Sequence, residues 1–137
     1  MEKRNGCNQC CRTKTWLDIL KFGVRNMIII AFSDKTSKIL PRLICRNFKH
    51  VAPIAVHNDK LIMYQFIRRN ICVKVHLRMK DIKILNKNGW KFIYLTGDIP
   101  PDFNTKNVRT CVELTKRAIR LNKWHIQTPN ALYKYLI

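Results

Sequence analysis

The stretch spanning residues 50–67 constrains the fold more than any other. Residues 50–56 read His-Val-Ala-Pro-Ile-Ala-Val, the tetrad His57-Asn58-Asp59-Lys60 interrupts, and residues 61–67 return as a second, largely apolar run. Two strand-length runs around a short polar turn predict an antiparallel β-hairpin. With Asn58 and Asp59 at the tip, position 57 pairs with 60 and position 52 with 65. His50, Ala52 and Gln65 then share one face, with Gln65 diagonal to His50. A turn of odd length would send Gln65 to the other face.

The hairpin has neighbours of the same kind. Residues 27–32 form an unbroken apolar run, as expected of a strand buried on both faces. Residues 71–77 alternate Ile71, Val73, Val75 and Leu77 with Cys72, Lys74 and His76, the pattern of a half-buried strand. Residues 81–85 predict a short helix or turn ending at Asn88-Gly89, and residues 90–95 another strand. Helical periodicity appears at residues 15–24, at 36–45 with Pro41 inside it, and again from Cys111 onward. Thr128-Pro129 opens a last helix by the rule of a threonine cap followed by proline, with Leu132, Tyr133 and Leu136 facing inward. The fold class expected is α+β: a small antiparallel sheet with flanking helices. At 137 residues and 47% apolar content, one domain over residues 15–137 can hold a core, preceded by a basic, cysteine-containing tail at residues 1–14.

Charge and cysteines narrow the setting. Lys and Arg total 27 against 8 acids, a net charge of +19, so polyanions such as nucleic acid are attracted. The basic residues are scattered, and none sits with aromatics at a spacing that implies a base-stacking platform. Cys7-x-x-Cys10-Cys11 resembles half of a zinc site, but no second Cys or His pair completes it, so no metal is expected. No signal peptide is visible, and the apolar core at residues 26–32 is too short to cross a bilayer. Free thiols in the cytoplasm, or in a virion, are the expected state.

One cysteine is placed for chemistry. Thr110 is a good N-cap, so Cys111 falls in the first turn of a helix, where the dipole and unpaired N–H groups favour thiolate. A thiolate attacks carbonyl carbon once a base has taken its proton. His50 is the candidate base, because it opens an apolar strand, whereas His57, His76 and His125 read as surface residues. Gln65 is the group that would hold the His50 tautomer. Hydrogen-bond reach between Cys111 Sγ and the His50 ring is the expected geometry. The competing reading makes Cys111 a core residue on the face it shares with Leu114, Thr115 and Ala118.

A strand opening Phe48-Lys49-His50-Val51-Ala52, a return strand with Gln65, and a later helix opening Cys111-Val112-Glu113-Leu114 resemble the circularly permuted papain-like NlpC/P60 proteins. There the histidine precedes the cysteine. The C-terminal part, from Cys111-Val112-Glu113 to Thr128-Pro129-Asn130-Ala131-Leu132-Tyr133, also looks like small phage and bacterial proteins of that kind. The resemblance implies Cys111 as nucleophile, His50 as base and Gln65 at the third polar position. It implies a cysteine hydrolase or acyltransferase without cofactor, acting on a peptide, peptidoglycan-like or acyl substrate. Two departures stand out: Gln65 is neutral where the family often has an acid, and Pro53 lies within the His50 strand, a place tolerable only at an edge or bulge. A basic nucleic-acid-binding or phage structural protein on the same fold is the alternative.

Overall fold

The computed structural model describes residues 26–34, 50–57, 60–69, 71–100 and 103–137. The expected tail at residues 1–14 and the helices expected at residues 15–24 and 36–45 lie outside these. Five antiparallel strands form one open sheet: β1 (Asn26–Ser33), β2 (His50–His57), β3 (Lys60–Arg68), β4 (Ile71–Leu77) and β5 (Lys91–Thr96). Their spatial order is β4-β3-β2-β1-β5. Three helices complete the described fold: α1 (Met79–Lys87), α2 (Cys111–Ala118) and α3 (Pro129–Leu136). The fold is α+β.

Strand β1 lies between β2 and β5, and its residues 27–33 are buried because a core packs on each of its faces. Its alternate residues feed two separate cores. Ile28, Ile30 and Phe32 join Val51 and Ala55 of β2 and Tyr64 and Phe66 of β3 on the first face. Met27, Ile29 and Ala31 join Ala52, Ile54 and Val56 of β2 and Leu61 and Met63 of β3 on the second. Helices α2 and α3 cover the first face through Val112, Leu114, Ala118, Leu132 and Leu136. Helix α1 meets the second face through Ile82. Each fully buried leucine contributes roughly 1.5–3 kcal/mol by leaving water.

The hairpin register is the one expected, with His57 paired to Lys60 and Ile54 to Met63. Two expectations need correction. Pro53 occupies an interior strand, not an edge. It is accommodated because the β2–β3 pairing ends at Ile54–Met63, so a missing N–H falls where that ladder has stopped. Strand β4 is an edge strand and is more open than half-buried: Val73 is 43% exposed, and Ile71 and Val75 are also exposed. Its alternation reflects β-propensity at an edge, because few of its side chains have a packing partner.

The helix ends follow their sequence signals. Thr110 Oγ1 accepts from the Glu113 N–H at 3.0 Å, while Glu113 Oε1 accepts from the Arg109 N–H at 2.9 Å. This reciprocal arrangement satisfies donors at the start of α2. The end of α2 is less relaxed. Arg120 has φ 58°, and the Leu121 N–H reaches the Lys116 carbonyl at 2.8 Å. That is the left-handed position at which helices usually place glycine. Thr128 caps α3 by accepting from the Ala131 N–H at 3.1 Å, with buried Pro129 next to it.

Candidate active site

The site begins with His50, the first residue of β2. Continuing the hairpin register past Ile54–Met63 sets Gln65 opposite Ala52 and diagonal to His50. The two side chains meet there, with His50 Nε2 and Gln65 Oε1 2.7 Å apart. An amide oxygen only accepts, so Nε2 carries the proton and donates. The amide is oriented in turn by its own nitrogen, since Gln65 Nε2 donates to Met63 Sδ at 3.1 Å. In the neutral form of the ring, this bond leaves Nδ1 as the acceptor nitrogen.

Two further residues frame the imidazole. Trp90, immediately before β5, meets the His50 ring edge to face, with centroids 6.1 Å apart at 87°. Ser33 is the β1 partner of His50 and is buried at 3% exposure. Local pattern could not reveal either. Ser33 reads as the cap of a following helix and Trp90 as the start of a strand. Only the pairing of β1 with both β2 and β5 brings them to this end of the sheet.

Cys111 is the first residue of α2, behind the Thr110 cap, as the sequence predicts. It is half-buried and packs against the first core, which includes Val51, the residue after His50. Its carbonyl accepts a hydrogen bond from the fully buried Thr115 hydroxyl at 2.9 Å. Strand alternation gives His50 the second face, with Ala52 and Ile54, whereas α2 lies on the first, alongside Val51. Thus the fold joins His50 to Gln65 directly but corrects the expected pairing with the thiol: Cys111 belongs to a capped helix start on the opposite face of β2, not to the face that carries His50.

The other described cysteine has different surroundings. Cys72, on edge strand β4, is half-buried, and burial pushes its thiol above the ordinary range, opposed more weakly by the Lys74 ammonium. Lys74 itself lies over the Tyr64 ring at 5.8 Å from the centroid. His57, His76 and His125 are exposed. Among the described residues, no three His, Cys, Asp or Glu side chains gather as metal ligands, and no helix is long and apolar enough to cross a membrane. Cys7, Cys10, Cys11 and Cys45 lie outside the described residues. Comparison with protein-family models, curated proteins and solved structures gave no match to this chain.

Proposed function

We propose that the protein is a cysteine-dependent hydrolase or acyltransferase acting on an amide or ester bond, on a permuted papain-like version of its α+β fold. The observation that carries this reading is the His50–Gln65 hydrogen bond, which fixes one imidazole tautomer beside a strand end.

In the proposed reaction, His50 Nδ1 takes the Cys111 thiol proton and the sulfur attacks the acyl carbon. Amides in the first turn of α2 face the oxyanion that develops. Collapse of the tetrahedral intermediate breaks the bond to the amine or alcohol, which leaves with the proton from His50, and a thioester remains on Cys111. Water, or an acceptor nucleophile, gives its proton to His50 as it attacks the thioester, and the acid or transferred acyl product departs with the thiol restored. Gln65 is a positioning residue: it holds the tautomer but, being neutral, adds no charge to stabilise the imidazolium. Because His50 and α2 belong to different faces of the sheet, this reading requires the thiol and Nδ1 to meet around the start of β2.

Incubation with a p-nitrophenyl ester tests the assignment. An acyl group recovered on Cys111 by peptide mass mapping is expected, and it should be lost in His50→Ala by a factor of about 10²–10⁴ in rate. Equal acylation of Cys72 and Cys111, insensitive to His50, would remove the reading.

A further inference from the structure

A cleft of about 500 Å³ opens on the outer side of α2, between its start and the connector to α3. Arg109, Thr110, Glu113, Lys116 and Arg117 line it together with Trp124 and Gln127 of the connector. Neither Cys111 nor His50 lines it. Trp124 is 82% exposed, far more than any other exposed large apolar side chain among the described residues. Its indole meets the His125 ring edge to face, with centroids 6.0 Å apart, and at 82% exposure it offers a flat apolar surface at the cleft.

The connector that carries Trp124 is fastened in place. The Lys116 ammonium donates to the carbonyls of Lys123 at 3.1 Å and Ile126 at 2.8 Å. Gln127 Nε2 donates to the Trp124 carbonyl. Arg117 donates to Glu113 Oε2 at 2.9 Å and to the carbonyls of Asn104 and Lys106, tying the preceding loop to the same helix. The connector side is therefore prepared in advance, which lowers the ordering cost of binding.

The lining selects the ligand. The lining carries three cations and one carboxylate, but the Lys116 ammonium is held by two carbonyls and Arg117 is paired with Glu113, so Arg109 is the cation best placed to meet an anionic guest. The exposed ring supplies a flat apolar surface beside those charges. A flat ring joined to an anion is the chemistry of a nucleotide: the base stacks and the phosphate meets Arg109. The volume is of the size that small-molecule sites occupy. The sequence does not reveal this grouping, because Arg109, Lys116 and Arg117 come beside Trp124 only when α2 and its connector fold against each other.

We propose that this cleft is a nucleotide-binding site that receives one base and its phosphate from single-stranded RNA or DNA, with the base against Trp124. It is a second site beside the start of α2, lined by Thr110 but by neither Cys111 nor His50. The full chain, titrated with a fluorescein-labelled oligothymidylate and, separately, with uridine monophosphate at about 150 mM salt, tests it. Trp124→Ala should weaken oligonucleotide binding by about tenfold or more, while Trp124→Phe keeps most of it. Arg109→Gln should weaken it severalfold and flatten the salt slope by about 0.7, one phosphate contact on a single strand. Tighter binding of the oligonucleotide than of the mononucleotide identifies a strand as the source. Equal affinity, still lost in Trp124→Ala, identifies a free nucleotide in the same site and overturns the strand assignment. Binding unchanged in both Trp124 variants, or displaced equally well by polyglutamate, would mean diffuse attraction to the net charge and would overturn the site altogether.

Discussion

The start of α2 and the edge strand β4 each hold a half-buried cysteine, and the two differ in everything that surrounds the sulfur. Cys111 opens a helix whose first turn is closed by Thr110 and Glu113. Its neighbours are the fully buried Leu114 and Thr115. Cys72 lies on the outermost strand, where the side chains on either side of it in sequence are exposed and burial alone pushes the thiol up. A cysteine set in a rigid, dipolar environment can be activated, whereas one set by partial burial on an edge is held as the neutral thiol. Burial of the sulfur is similar in kind at both places, so the frame around it makes the difference.

The largest test of that contrast removes the frame. Leu114→Ala should cost about 2–5 kcal/mol by opening a cavity in the first core. Val73→Ala, on the exposed face of β4, should stay within roughly 1 kcal/mol. Chemical denaturation of both variants checks the ratio; equal losses would mean that β4 is as deeply packed as α2.

The next test touches the histidine. Gln65→Ala leaves the His50 Nε2–H without its acceptor. A hydrogen bond of about 0.5–1.5 kcal/mol converts to roughly a two- to tenfold fall in the acylation rate of Cys111. Cys72 reactivity should not move. A variant that acylates at the parent rate would show that Gln65 does not position the ring.

Smaller effects come from the two ends of α2. Thr110→Ala should cost about 1 kcal/mol through the lost cap and also slow Cys111. Arg120→Gly should stabilise the fold by up to about 1 kcal/mol, because arginine at φ 58° sits in a region that favours glycine. Thermal melts of the pair should therefore shift in opposite directions.

Much of this frame is legible in the sequence, because it is local. The two-residue spacing between His57 and Lys60 predicts the β2–β3 register, and with it the meeting of His50 and Gln65. Thr110 and Thr128 announce their helices by position alone. What stays hidden depends on pairing between distant segments. The antiparallel contact of β1 with β5 brings Trp90 to His50, and no local periodicity encodes it. The edge position of β4 is hidden for the same reason: alternation in Ile71, Val73 and Val75 looks alike whether or not a layer covers it. The Trp124 cleft arises only from the docking of a connector onto α2.

Site-resolved alkylation tests the central claim most directly. The native chain is treated with iodoacetamide across a pH series, and each cysteine is followed by peptide mass mapping. The sign at Cys72 follows from its raised thiol pKa: its labelling should climb only above the ordinary thiol range, where the thiolate finally forms. Cys111 should label well before Cys72 at neutral pH, and His50→Ala should slow Cys111 while leaving Cys72 unchanged. Protection of Cys111 until denaturant is added, or one common pH profile for both thiols, would contradict the account and leave Cys111 a core residue.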